Sequence, residues 1–269
     1  MAEPILVVTA ESVTQLGDVA GKVLIAGSHG GIIAAYLGAK AGAHALILND
    51  AGLGFERAGI AGLAWLEAIG MAAAAVDCMS ARIGDGADML ARGVISHANV
   101  YAALCGVAAG QSCQEAAGRL CRAPAPRSAP SPVDEGRWRV AEGPPEVWAL
   151  DSIGKIEPAD AGRIVVTGSH GALHGGRRES ALAVDAAAAV FHDAGMGADR
   201  IGITRLPALG ERGIPAVAVD GMSARIGDGR SVWQTGVILH VNEPATALGA
   251  TRGMRVPQFV AFIAAQNCR

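Results

Sequence analysis

Short apolar runs alternate with longer helical stretches along the chain. Val23-Leu-Ile-Ala26 is an unbroken apolar run closed by Gly27, the pattern of a strand buried on both faces. Ile32 to Ala41 is Ala-rich and predicts a helix. Ala45 to Leu48 predicts the next strand. Ala58 to Ile69 has helical apolar spacing and stops at Gly70, a residue suited to the left-handed position after a helix. Ala72 to Val76 predicts a third strand, Val94-Ile95 a fourth, and Asn99 to Gly106 the start of another helix. At the beginning, Ile5-Leu-Val-Val8 reads as a strand, because no basic stretch precedes it as in a signal peptide. Strands alternating with helices predict α/β units with mainly parallel sheets.

The pattern occurs twice. Val23-Leu-Ile-Ala-Gly-Ser-His-Gly30 returns as Ile164-Val-Val-Thr-Gly-Ser-His-Gly171. Val76-Asp-Cys-Met-Ser-Ala-Arg-Ile-Gly-Asp-Gly86 returns as Val219-Asp-Gly-Met-Ser-Ala-Arg-Ile-Gly-Asp-Gly229. Residues 50–99 align with 193–242 without a gap, and 27 of the 50 positions are identical. A match of this length at one offset marks an internal duplication. The expected organisation is a first three-layer α/β repeat over residues 1–122, a Pro-rich linker over 123–147 and a second repeat over 148–269. The linker expectation rests on Ala-Pro-Ala-Pro and Gly-Pro-Pro, which exclude a regular helix. A pseudo-twofold axis is expected to relate the repeats, with a site between them.

Composition narrows the function classes. Aromatic residues are only 4% of the chain, so Ala, Val, Ile and Leu must fill the core. The formal net charge is −3 and no basic run stands out, which argues against nucleic acid as a partner. No run of 18 apolar residues occurs, which argues against a membrane. The five cysteines (Cys78, Cys105, Cys113, Cys121, Cys268) show no CxxC spacing, so neither a disulfide framework nor structural zinc is expected. A reducing cytoplasm is the expected compartment, with a small molecule as substrate and a homo-oligomer as the assembly.

In open parallel sheets, ligands bind at loops leaving the carboxyl ends of strands. The duplicated polar residues fall at those positions: Ser28, His29 and Gly30; Asn49 and Asp50; Ser80 and Arg82. Their counterparts are Ser169, His170 and Gly171; His192 and Asp193; Ser223 and Arg225. Ser28 and Ser169 are candidate nucleophiles, His29 and His170 candidate acid–base groups, and Asp50 and Asp193 their supports. Arg82 and Arg225 suit an anionic substrate group, or else Arg82 braces its own loop against Asp85 or Asp77. Gly30, Asn49, Ser80, Gly171 and Ser223 complete the expected substrate-binding set. The simplest alternative makes Ser28 a helix cap. His192 replaces Asn49 and adds an imidazole suited to acid–base work near neutral pH. His97 and His240 also recur, after an apolar strand, as catalytic supports or core hydrogen-bonding groups. No cofactor is expected. A divalent ion on His29, His170, His192, Asp50 and Asp193 is the alternative, although no HExxH-type spacing supports it.

Two α/β halves around one site resemble, in architecture alone, the cofactor-independent aspartate and glutamate racemases. That resemblance implies one cysteine from each half. Here Cys78 is matched by Gly221, which argues against a two-thiol racemase. The expected function is a hydrolase cleaving an amide or ester in a small polar or anionic molecule. An isomerase or lyase acting on a carboxylate, or a non-catalytic ligand-binding protein, are the alternatives.

Overall fold

The computed structural model describes residues 5–267; Cys268 lies outside them. The chain is a mixed α/β protein that divides into two units. The first holds the described residues up to Leu53, Arg57–Asp134 and Gly197–Asp199. The second holds Gly54–Glu56, Glu135–Met196 and the residues from Arg200 onward. Each unit is therefore completed by three residues from the opposite half of the sequence.

The first unit runs β1 (Val7–Ala10), β2 (Val23–His29), α1 (Ile32–Lys40), β3 (Ala45–Asn49), α2 (Ala61–Glu67), β4 (Ala73–Val76), α3 (Gly86–Arg92), β5 (Ile95–Ala98), α4 (Val100–Leu104) and α5 (Cys113–Leu120). Strand order follows chain order, β1-β2-β3-β4-β5. β1 to β4 are parallel and β5 is antiparallel. Successive side chains of a strand point to opposite faces, and the buried clusters divide accordingly. Val23, Ile25, Ala45, Ile47, Ala74 and Val76 pack on one side with α3 and α5. Leu24, Ala26, Leu46, Leu48, Ala73 and Ala75 pack on the other with α1 and α2. Burial on both faces explains why these strands read as unbroken apolar runs.

The second unit runs β6 (Arg137–Ala141), β7 (Val147–Leu150), β8 (Ile164–His170), β9 (Ala188–His192), α6 (Arg205–Gly210), β10 (Ala216–Val219), α7 (Gly229–Thr235), β11 (Ile238–Val241), α8 (Glu243–Ala247) and α9 (Val256–Asn267). Its six-stranded sheet has the order β11-β10-β9-β8-β7-β6. β7 to β10 are parallel, and the two edge strands are antiparallel to their neighbours. Edge strand β6 falls inside the stretch expected as a linker: Arg137-Trp-Arg-Val-Ala141 pairs with β7, while the Pro-rich part before it and residues 142–146 after it are irregular. No helix among the described residues is long and apolar enough to cross a membrane.

Two local features depart from the expected elements. β2 and β8 run on through Gly-Ser-His: pairing with the next strand breaks after Ile25 and Val166 and resumes at His29–Asn49 and His170–His192. Glycine is required there. A Cβ on Gly27 would lie 2.4 Å from Asp85 N, and one on Gly168 2.4 Å from Asp228 N. The crossing backbone is tied down by Gly84 N donating to Gly27 O (2.7 Å) and Gly227 N donating to Gly168 O (2.8 Å).

The second departure is that β8 is not followed by a counterpart of α1. Gly62 lets α2 approach α1, since a Cβ there would meet Ala35 Cβ at 2.6 Å. The same position in the second unit is Arg205, fully buried. Its guanidinium donates to Ala172 O (2.9 Å), Ala181 O (2.6 Å) and Ser180 O, and approaches His174 Nε2 at 3.3 Å. Burial pulls its pKa down to about 9. The arginine holds by carbonyl hydrogen bonds an irregular segment where the first unit has a helix.

Asn99 and Asn242 pin the last strand of each parallel layer. Asn99 Oδ1 accepts from Ala73 N and Ala102 N, both at 3.0 Å, while Nδ2 donates to Met71 O (2.8 Å) and Leu63 O (3.2 Å). Asn242 repeats all four bonds with Ala216, Ala245, Ile214 and Leu206. Replacing either by alanine strands four buried backbone groups. Asn99→Ala and Asn242→Ala are each expected to lower unfolding free energy by at least about 2 kcal/mol in urea titrations, with no change in m-value.

Candidate functional site

In each unit the recurring residues lie at the carboxyl edges of the parallel strands, and hydrogen bonds define what most of them do. Ser28 Oγ accepts from Val13 N (3.0 Å), and Ser169 Oγ accepts from Ile153 N (2.8 Å). Each serine thus ties its strand to the loop after the neighbouring strand. Neither caps a helix: the residue before α1 is Gly31, which makes no side-chain cap. Ser80 Oγ donates to Asp77 O (2.7 Å) and accepts from Val94 N (2.9 Å); Ser223 repeats this with Asp220 O (2.6 Å) and Val237 N (2.9 Å). His29 Nδ1 accepts from Gly31 N (3.1 Å) and His170 Nδ1 from Ala172 N (3.3 Å). Gly30 and Gly171 are steric choices, since a Cβ on either would lie 2.6 Å or 2.5 Å from the carbonyl oxygen of Gly59 or Gly202.

Arg82 and Arg225 brace loops. Arg82 Nε donates to Asp199 at 2.9 Å, within the first unit. Arg225 donates to Glu56 at 2.7 Å and to Asp228 at 3.1 Å, within the second. Arg82 meets the distant Asp199 in place of Asp85 or Asp77, whereas Arg225 keeps Asp228, the counterpart of Asp85, and adds the distant Glu56.

Asp50 and Asp193 organise the backbone that follows them. Asp50 Oδ1 accepts from Gly52 N and Cys78 N, and Asp193 Oδ1 from Gly195 N and Gly221 N, all at 2.9 Å. The backbone beside them is left-handed. Ala51, Gly52, Leu53 and Gly54 have φ between 50° and 69°, and Ala194, Gly195, Met196 and Gly197 between 52° and 69°. Side-chain-bearing residues in this region cost roughly 1–2 kcal/mol each, a cost that persists only where surrounding bonds enforce it. The same bonds consume the N–H groups of residues 51–53 and 194–196. These loops therefore offer no free nest of donors for a developing oxyanion.

His192 corrects the expectation of an acid–base group near neutral pH. It is completely buried. Nδ1 accepts from Ala194 N (3.0 Å), the bond that Asn49 Oδ1 makes with Ala51 N (2.9 Å), and Nε2 lies 3.0 Å from Ala224 O. Burial pulls its pKa down to about 4, so the ring is a neutral spacer. Asn49, shorter by one ring, leaves Nδ2 buried without a partner.

Among the described residues, one group gathers donors for a metal: Asp50, Asp77 and Cys78, each with an atom within 4.8 Å of the others. Burial, reinforced by Asp50 and Asp77, pushes the Cys78 thiol up to about 12. His29, His170, His192 and Asp193 are not part of that group.

The second unit contains a cavity of about 610 Å³ between α6 and β11. Its apolar wall is Ile203, Leu206, Pro207, Leu239 and Val241; Arg200, Gly210, Glu211, His240, Asn242 and Glu243 supply the rest of the lining. His240 Nε2 is buried without a hydrogen-bond partner and faces Asp193 Oδ2 at 3.9 Å. This uses the carboxylate oxygen left over from the loop bracket. Burial lowers the His240 pKa; Arg200 and Arg252 lower it further, and Asp193 and Asp220 oppose them. Burial also raises the Asp193 pKa. Sequence reasoning registered His240 without choosing between its roles, and missed Arg200 and Gly210. The available signal was divergence between the copies: Gly210 against Glu67, and Leu239 against Ser96.

No protein family model, curated protein or solved structure matches this chain.

Because the folded His192 pKa is depressed from 6.5 to about 4, its contribution to stability is complete above pH 6.5 and is lost as pH falls toward 4. Unfolding free energy is expected to drop across this window. In His192→Asn, which retains the acceptor for Ala194 N, the drop should be smaller by a few kcal/mol, as read from urea titrations at both pH values.

Proposed function

We propose that this protein is a small-molecule hydrolase that cleaves an amide or ester bond with an activated water, and that His240, backed by Asp193, is the base. The two units are read as copies of one ancestral α/β element, of which the second carries the reacting group. The observation that carries the reading is the His240–Asp193 pair on the wall of a half-apolar cavity. A buried imidazole nitrogen with no partner, aimed at a carboxylate, is costly unless it serves a purpose. At 3.9 Å the pair is longer than a hydrogen bond, and catalytic pairs of this kind often tighten only with substrate bound.

In this reading the Nε2 proton faces Asp193, leaving Nδ1 to accept a proton. Burial and the two arginines keep the ring neutral near pH 7, the form a base requires. Nδ1 takes a proton from water as the water oxygen bonds to the acyl carbon. The imidazolium then returns that proton to the departing nitrogen or oxygen as its bond to carbon breaks. Asp193 holds the ring and favours its cationic form, the role of the carboxylate in other His–carboxylate pairs. Ser28 and Ser169 support the reading less, because their hydroxyls already accept backbone hydrogen bonds.

Mass spectrometry of a panel of small amides and esters incubated with the protein tests the class, since hydrolysis adds the mass of water. His240→Gln should lower turnover about 100-fold or more without moving the thermal midpoint. Asp193→Asn should keep the loop bracket through its remaining oxygen, lower kcat and move the acid limb of the pH profile downward, because a group that raises the His240 pKa is lost. If instead His29→Ala and His170→Ala abolish turnover while His240→Gln does not, the duplicated motif is the centre. Altered chirality at unchanged mass would replace the hydrolase with an isomerase.

A further inference from the structure

We propose that the cavity between α6 and β11 recognises a small aliphatic monocarboxylate, with Arg200 as the partner of its carboxylate. This deepens the reading above, since it names the ligand class of the His240 site, but it is decided by binding and not by turnover.

The first unit shows how the same position looks when closed. There Glu67, at the end of α2, accepts from Val100 N at 2.9 Å at the start of α4. Its counterpart Gly210 has no side chain. A Cβ built on Gly210 meets nothing nearer than Asn242 Nδ2 at 3.6 Å and Pro244 Cδ at 3.7 Å. Loss of that side chain removes bulk at this position, while the acidic groups of the lining are Glu211, which pairs with Arg178, and Glu243.

The cations change in the complementary direction. Arg57 in the first unit lies 3.3 Å from His97 Nε2 and is occupied by it. Its counterpart Arg200 has no hydrogen bond or ion pair among the described residues, and it lines the cavity. Arg252 stands where the first copy has Ala109, and both arginines act on the His240 ring. Arg200, a cavity-lining guanidinium without a carboxylate partner, recruits an anion.

The remaining lining selects among anions. Leu239 replaces Ser96 and joins Ile203, Leu206 and Val241 as an alkyl-binding wall. Asp193 and Asp220, which both act on His240, and Glu243 in the lining repel a dianion more than a monoanion. A carboxylate on a short hydrocarbon fits this environment better than a phosphate, and about 610 Å³ is within the range of small-ligand cavities.

Isothermal titration calorimetry with isocaproate, its uncharged primary amide and inorganic phosphate tests the proposal on the full chain. Isocaproate should bind at least tenfold more tightly than either of the others. Arg200→Gln should weaken isocaproate at least tenfold, while Arg57→Gln leaves it unchanged. Gly210→Glu, which restores the residue of the first unit, should abolish binding with the thermal midpoint preserved. Equal binding of the amide, tighter binding of phosphate, no isocaproate binding, or indifference to Gly210→Glu would overturn the proposal. Arg200-dependent binding without any hydrolysis would leave the proposal standing and remove the hydrolase reading. Hydrolysis of neutral substrates without an Arg200 effect would do the reverse.

Discussion

A single carboxylate oxygen holds each unit's strand-end loops together. Asp50 Oδ1 and Asp193 Oδ1 each take two backbone N–H groups, one from the left-handed turn that follows and one from the loop after the next parallel strand. Four consecutive residues at positive φ are not a conformation a free chain holds. The turn exists because Asp50 and Asn49, or Asp193 and His192, occupy its donors. Once formed, it carries Gly54–Glu56 into the second unit and Gly197–Asp199 into the first, where Glu56 and Asp199 meet Arg225 and Arg82. The acidic residue, the distorted backbone and the distant ion pair are successive results of one constraint.

That bracket uses one oxygen and leaves the other. In the second unit the remaining oxygen faces His240; in the first, Asp50 interacts with the Cys78 thiol. The same unit contains the cavity lined by Gly210 and Arg200. The first unit has the closed arrangement at the corresponding positions, with Glu67 and Arg57 engaged.

The strands were legible because they are buried on both faces, so Val23–Ala26 or Ala72–Val76 needed no context. The recurring segments read alike, and the backbone makes the same demands on them in each unit. Those demands account for polar positions too. Gly-Ser-His-Gly resembles a catalytic turn, yet Gly27 is fixed by the crossing backbone at Asp85 and Ser28 by the N–H of Val13. His192 reads as a titrating group until its complete burial is known. The irregular segment after β8 was invisible because it depends on Arg205, more than thirty residues later, bonding three carbonyls. The cavity was equally hidden, since it consists of an absent side chain at Gly210 and of neighbours that only the fold brings together. The informative positions for the candidate site were those where the copies disagree.

Strand order that follows chain order has a consequence during synthesis. Each new strand can add to the edge of a sheet already emerged, so the first unit can assemble while the second is still being made. Its final component, Gly197–Asp199, is added roughly 60 residues after Asp134, a delay of seconds at about 5–20 residues per second. During that interval Arg82 and Arg92 lack their shared acceptor Asp199. Asp88, bound to Arg92 at 2.8 Å and 3.9 Å from Arg82, is the nascent chain's local counter-charge. It can hold both arginines in place until the partner arrives from the ribosome.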